Sequence, residues 1–288
     1  MAPRTSVLVP VYEQWHLVPK LLACLAAQTL PQDQFEVILS DNGSPNFAPP
    51  SALPANVRII RCPQPGSYAA RNAAAAEAGG DWLAFTDADC LPEPGWLEAI
   101  DEAARVAGAR TILVGAVELK ARTDTPNAYE IYDMLVGIPQ QRYARRGYGA
   151  TANLTVAAAL FNEVGGFDGT RLSGGDAEFC RRTTATTGAP VQFVPVARVG
   201  HPARDSWDAL ATKSRRVLGG QVTTGPLTRR ASFLLRALAP PILHWSRFAR
   251  ADRPMGDKLT AILVQTRLWG SEIVEAGRLL IGRRPERR

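Results

Sequence analysis

Over the first 120 positions, apolar residues fall into short unbroken runs that alternate with stripes at helical spacing. Ser6-Val7-Leu8-Val9-Pro10-Val11-Tyr12 opens as a buried strand, and leucines at 17, 21, 22 and 25 then predict a helix with one apolar face. Residues 35–40 and 57–61 repeat the strand pattern between turn-forming Asn, Gly, Pro and Ser. Gly66-Ser67-Tyr68 leads into an alanine-rich helix to Ala78, whose small side chains suit close packing on a sheet. The aromatic and apolar run 82–86 predicts a central strand, 96–107 a helix closed near Gly108, and 112–119 another strand. Strand followed by helix, repeated in this way, predicts an α/β fold in which helices flank a sheet.

The alternation stops between Arg122 and Gly149. Tyr129, Tyr132, Tyr143 and Tyr148 with Arg142, Arg145 and Arg146 make an aromatic and basic insertion that either lines an acceptor site or covers the sheet. Residues 152–156 then read as a strand, and 157–164 as a short helix ended by Gly165-Gly166-Phe167-Asp168. Gly175-Asp176-Ala177-Glu178 starts the next helix, 191–196 is a strand, and His201 follows just after an apolar stretch. Beyond residue 226 two short amphipathic segments are split by Pro240-Pro241 and followed by a longer helix over 258–280. The expected division is therefore a domain over 1–225 and a basic helical extension over 226–288. No apolar run approaches the roughly 18 residues of a spanning helix.

Charge sharpens that division. The net +6 is unevenly spread, because residues 213–288 hold 16 Lys and Arg against 5 Asp and Glu while the preceding part is net acidic. The tail carries no nucleic-acid-binding motif, so no nucleic-acid partner is expected. Two readings of its helices stay open. One is a hairpin packed on the first domain or on a second copy as a homodimer; the other is an interfacial platform peripheral to the inner membrane face. The four cysteines show no C-x-x-C spacing and no secretory leader is evident, which predicts a reduced, cytoplasmic protein.

The candidate chemistry sits at strand ends. In Asp87-Ala88-Asp89 two carboxylates end an apolar strand, where they can face one hard cation, Mg²⁺ or Mn²⁺, or merely form a solvated acidic turn. Asp41 ends the second strand and can accept the imide N–H of a uracil or simply close a turn. Arg71 can reach a base or phosphate, or lie on the surface. Asp176, at a helix N-terminus expected to depress its pKa, is either a cap or a general base. His201 is either a ligand or a satisfied histidine.

Together these pieces resemble the family 2 glycosyltransferases of the GT-A fold over about residues 5–220. The resemblance rests on Pro10-Val11-Tyr12, Ser40-Asp41-Asn42-Gly43-Ser44, Ala70-Arg71-Asn72, Thr86-Asp87-Ala88-Asp89, Val164-Gly165-Gly166-Phe167-Asp168 and Gly175-Asp176-Ala177-Glu178, in that order. It implies a Rossmann-like mixed sheet and an inverting, metal-dependent transfer of sugar from a UDP-sugar to a hydroxyl acceptor, lipid-linked or glycan. Pro10, Tyr12, Glu13, Asp41, Arg71, Asp87 and Ala88 would then hold the donor nucleotide, and Asp89 with His201 the Mg²⁺ or Mn²⁺. Asp176 would be the catalytic base, with Tyr148, Gly149 and Glu178 toward the acceptor. Two departures matter. Gly175 stands where the family often has Glu, and no Gln-x-x-Arg-Trp is present, which argues against a processive polysaccharide synthase. The alternative is a non-catalytic nucleotide-sugar binder or scaffold that kept the fold; a dehydrogenase is disfavoured because no G-x-G-x-x-G follows the first strand.

Overall fold

The computed structural model describes residues 4–283 except Leu172 and Gly225. Gly225, the expected end of the first domain, thus lies outside the described residues, as do 1–3 and 284–288. Among the described residues eight strands form one sheet: β1 (Thr5–Val11), β2 (Phe35–Asp41), β3 (Val57–Arg61), β4 (Trp82–Phe85), β5 (Leu91–Pro92), β6 (Ile112–Lys120), β7 (Leu154–Ala157) and β8 (Val191–Pro202). Their spatial order is β3-β2-β1-β4-β7-β6-β8-β5. β1 pairs in parallel with β2 and β4, and β2 with β3, whereas β7 runs antiparallel to both β4 and β6. The sheet is therefore mixed. Strand order reverses at β1, and the crevice beyond the carboxyl ends of β1, β2 and β4 is where open α/β sheets take their ligands. These three strands are apolar almost throughout because they are buried along their length.

The helices are α1 (Val18–Ala26), α2 (Ser67–Ala76), α3 (Trp96–Ala107), α4 (Ala128–Val136), α5 (Gln140–Ala144), α6 (Ala158–Glu163), α7 (Gly175–Thr187), α8 (Trp207–Thr223), α9 (Leu227–Leu238), α10 (Ile242–Ala249) and α11 (Met255–Leu280). The leucine stripe of α1 is buried as its spacing requires. Three elements differ from expectation. The insertion over 122–149 is largely helical, with α4 started by a capping box in which Asn127 and Glu130 satisfy each other's backbone N–H groups. α8 was not legible, because its few apolar positions are diluted by Thr, Lys, Ser, Arg and Gly. β8 runs on through His201, so the histidine belongs to the strand rather than following it.

The chain divides into two compact units. The first comprises the chain up to Glu118, Ile138–Thr170 and Gly175–His201. Its core includes an aromatic group in which Phe167 lies 5.0 Å from Phe85 at the end of β4, 5.3 Å from Phe161 of α6 and 4.8 Å from Phe179 of α7. These rings tie the start of α7 to the functional end of β4. Each buried Phe contributes about 1.5–3 kcal/mol. The Gly165-Gly166 turn delivers Phe167: Gly166 has φ +67°, and a Cβ there would come within 2.9 Å of Asn72 Oδ1. Asn72 in turn exchanges two hydrogen bonds with the Phe167 backbone, at 2.8 and 2.9 Å.

Buried Asn153 is a second fastener of this unit. Its Oδ1 accepts from Trp96 Nε1 at 2.9 Å, and its Nδ2 donates to the carbonyls of Ala116 and Ala197, both at 2.9 Å. One side chain thus joins α3, β6 and β8. Asn153→Ala would leave a buried indole N–H and two carbonyls without this partner, and is expected to cost about 2–4 kcal/mol by denaturant unfolding. A loss under about 0.5 kcal/mol would show that water replaces the side chain.

The second unit comprises Leu119–Gly137, Arg171–Gly174 and the chain from Pro202 on. Tyr132, Leu210, Phe248, Ala261, Val264 and Leu268 form its core. Buried Asp133 accepts from the Arg204 guanidinium at 3.1 Å and lies 3.6 Å from Lys213 Nζ. Burial, with Arg204 close by, pushes the Lys213 ammonium down to about 8 against the pull of Asp133. No helix of the described residues is long and apolar enough to cross a membrane.

Candidate active site

β4 carries its chain out of the sheet at Thr86, whose hydroxyl donates to the Ala152 carbonyl at 3.0 Å and fixes where the following carboxylates emerge. Asp87 accepts a hydrogen bond from the Arg71 guanidinium, which α2 holds almost fully buried rather than on the surface. Asp89 lies 3.6 Å from His201 Nε2, brought alongside by β8. Ligand atoms of Asp87, Asp89, Cys90 and His201 all fall within 4.8 Å of one another. Two carboxylates and an imidazole suit a divalent cation such as Mn²⁺ or Mg²⁺. Cys90 is buried beside them: burial, and then the neighbouring Asp87 and Asp89, push its thiol well above its ordinary value, and its Sγ lies 3.8 Å from the Ala152 carbonyl.

A second group of residues surrounds Asp41 at the end of β2. Its carboxylate is buried and accepts from Trp15 Nε1 at 3.2 Å and from the Ser44 backbone N–H at 3.3 Å. Trp15 also meets Phe47 edge-on at 5.2 Å, and the Arg61 guanidinium stacks 3.9 Å from the Phe47 ring. Glu13, just past β1 and the half-buried Pro10 and Tyr12, has φ +56°, an uncommon backbone state for a side chain of its size. Three hydrogen bonds hold it there: its N–H donates to Ser44 Oγ, and its carboxylate accepts from the backbone and side chain of Asn46. Asn42 extends the frame, donating to the Gln64 carbonyl and accepting from Gly66 N–H at the start of α2, each at 2.7 Å. Trp15, Asn46 and Asn42's links were not legible, since nothing in their local sequence points to partners some 20–30 residues away.

Asp176 forms the third group. It is the second residue of α7. It accepts from the backbone N–H groups of Ala177 and Thr151 and from the Tyr68 hydroxyl at 3.4 Å. The helix terminus was expected to depress this carboxylate. The opposite holds, because burial raises its pKa and outweighs the hydrogen bonds and the Arg71 charge that lower it. The Thr151–Asn153 turn touches Asp176 on one side and Thr86 and Cys90 on the other, so the base candidate and the Asp87–Asp89 pair flank one backbone segment. Gly175 now has a physical reason: a Cβ there would come within 2.7 Å of the Tyr68 ring. The volume that a larger residue would need is filled by the phenol that bonds Asp176.

The remaining expected residues have partners of their own. Glu178 points both oxygens at Arg182, at 2.7 and 3.3 Å, and Arg182 also binds the carbonyls of Val164 and Gly166. That network braces the Gly-Gly turn. Tyr148 stacks on Tyr143 at 4.8 Å and under the Arg181 guanidinium at 4.8 Å. Gly149 lies so close to Val114 that a Cβ would come within 2.4 Å of it. Ala88 is buried between the two aspartates.

Residues 6–163 match the family Glycosyl transferase family 2. The chain is 32% identical over 248 residues to "Glycosyltransferase AglE" of Haloferax volcanii, an alignment covering 84% of this chain and 80% of that one. Among solved structures, the mannosyltransferase PcManGT of Pyrobaculum calidifontis, in complex with GDP-Man and Mn²⁺, superposes with a TM-score of 0.57 at 17% identity, over 97% of this chain and 88% of that one. S. aureus TarS in complex with UDP gives a TM-score of 0.51 at 14% identity, over 97% and 92%. At such identities these two likenesses speak for the fold alone, which is of the GT-A type.

Proposed function

The chain belongs to glycosyl transferase family 2, and on that premise we propose that it moves a hexose from a UDP-sugar to a hydroxyl of a glycan or lipid-linked acceptor, with inversion at the anomeric carbon. The observation that carries this is the separation of roles among three carboxylates. Asp87 and Asp89 gather with Arg71 and His201 into a charged cluster, while Asp176 stands across the Thr151–Asn153 turn with its pKa raised by burial. A buried carboxylate held apart from a charged pair suits a different task in one reaction.

In this reading Asp41 accepts the uracil imide N–H, held in place by Trp15 and Ser44. Glu13, with Pro10 and Tyr12, borders the nucleoside, and Arg71 shares its guanidinium between Asp87 and the donor. Asp89 and His201, with Asp87 beside them, would hold a divalent cation, which when bound supplies positive charge against the departing diphosphate. Asp176 takes the proton of the acceptor hydroxyl as the new bond to the anomeric carbon forms and the bond to the diphosphate oxygen breaks. Its raised pKa favours taking up that proton, and closeness to the acceptor adds to it. Tyr148 and Gly149 border the acceptor side. The reading takes 1–225 as the catalytic domain and 226–288 as an appended extension.

A panel of UDP- and GDP-sugars, scored by turnover and by NMR of the product's anomeric proton, tests it. UDP-dependent transfer with inverted configuration is the expected result. Retained configuration would overturn the single-displacement scheme, and transfer from GDP-sugars alone would overturn the uracil assignment to Asp41.

A further inference from the structure

We propose that the outward faces of α9 and α11, with the first turn of α10, dock this protein on an anionic phospholipid surface. Twelve of the sixteen large apolar side chains exposed among the described residues lie between Leu227 and Ile281. Scattered single exposures are ordinary, but a concentration in one stretch marks an interaction surface. On α11 the exposed positions Met255, Leu259, Leu263 and Val274 recur on one side of the helix, opposite the buried Ala261, Val264, Leu268 and Ala276. The helix therefore has one apolar stripe spent on the core and a second turned outward. α9 repeats the pattern: Leu227, Leu235 and Leu238 face out, Ala237 faces in, and an apolar groove runs along Thr228, Ala231, Leu235 and Ala239. Ile242 and Leu243, the latter 83% exposed, add the start of α10.

Charge selects the occupant. Residues 226–283 hold ten Lys and Arg against four Asp and Glu. Two of those four acids are already engaged within the unit: Glu275 is buried beside Arg278, and Glu272 accepts from the Ser214 hydroxyl. Exposed Arg236 borders the α9 stripe; on α11, Arg267, which also stacks on Trp207 and donates to Tyr129, and Arg278, the partner of Glu275, are exposed beside the stripe, and the net basic balance of the stretch does not depend on that pair. Apolar side chains edged by arginines match a bilayer interface, where leucines enter the acyl boundary and guanidinium groups meet lipid phosphates. A second copy of this chain would oppose like charge to like charge over the same face, which disfavours a homodimer through it. The surface lies in the second unit and shares no residue with the carboxylate site, so it stands or falls apart from the transferase chemistry.

Flotation of the full-length protein with vesicles of phosphatidylcholine containing phosphatidylglycerol tests the proposal, with pure phosphatidylcholine vesicles as control. The protein is expected to float with the anionic vesicles at low salt, less at high salt, and little with the neutral ones. Leu259→Glu with Leu263→Glu, and separately Leu235→Glu with Leu243→Glu, change exposed side chains only and should each reduce the bound fraction about tenfold or more, with an unaltered thermal midpoint. Wild-type protein left in the soluble fraction at low salt would overturn the proposal. So would variants that float as well as wild type, or a wild-type dimer that these substitutions dissociate without any vesicle binding.

Discussion

Asp176→Asn is expected to lose about two to four orders of magnitude in turnover while keeping donor affinity, the usual scale for removing a positioned proton acceptor. The same substitution should make the protein more stable at neutral pH. Burial raises this carboxylate above its ordinary value of 3.8, so the fold tolerates the protonated form better than the ionised one. A raised folded pKa contributes stability that is complete below the unfolded value and is lost as pH rises through the folded value. At pH 7 the ionised Asp176 therefore opposes folding, and Asn removes that opposition while its single carbonyl oxygen can still accept from Ala177 and Tyr68, which both reach Oδ1. The thermal midpoint of the variant should exceed that of wild type at pH 7, and the difference should close as pH falls towards about 4. For the active enzyme, the acid limb of kcat/KM should lie above the usual carboxylate range. Tyr68→Phe removes a hydrogen bond that favours the ionised form, so it should move that limb to still higher pH without changing donor affinity. An Asp176→Asn enzyme with near-normal turnover would remove the base from the scheme, and an acid limb that Tyr68→Phe leaves in place would reduce the phenol to packing.

Chelation of divalent cations, or Asp89→Ala, is expected to weaken UDP binding by about 100-fold or more. Without a cation the diphosphate would face Asp87 and Asp89, with the Arg71 guanidinium as the cationic group beside them. Calorimetric titration of UDP with Mn²⁺, with Mg²⁺ and with EDTA reads this directly, and circular dichroism confirms that the variant is folded. His201→Ala should weaken the cation's effect but leave some of it, because the two carboxylates remain. Equal UDP affinity in Mn²⁺ and in EDTA, joined to an unchanged affinity in Asp89→Ala, would rule out a cation bridge. The direct Asp87–Arg71 contact would then be left as the charge control of the site.

Much of this was written in local pattern. The unbroken apolar runs of β1, β2 and β4 announced strands covered on both faces, and the leucine spacing of α1 and the 96–107 stripe of α3 announced amphipathic helices. Asp41, Asp87 and Asp89 were readable because each sits where an apolar run stops, and a parallel sheet exposes ligands at such ends. The ordered motifs pointed to the family for the same reason: each is a short segment whose chemistry is contained in its own residues.

Tertiary structure decided what depends on partners distant in the chain. Whether Asp176 is a stronger or weaker base was one such question, because the helix terminus acts locally while burial is set by segments distant in the chain, such as those carrying Tyr68 and Thr151, which meet at its carboxylate. Gly175 looked like a lost acid until the Tyr68 ring, 107 positions earlier, was found in the space. Glu178 carried the same charge as its neighbour Asp176, yet Arg182 one turn along takes both its oxygens, and only the packing of α7 shows it. In the tail, periodicity alone told that helices form and that each has an apolar stripe. It could not tell which stripe is spent on the core, because α9 and α11 carry apolar residues on both faces and burial is settled by what packs against them.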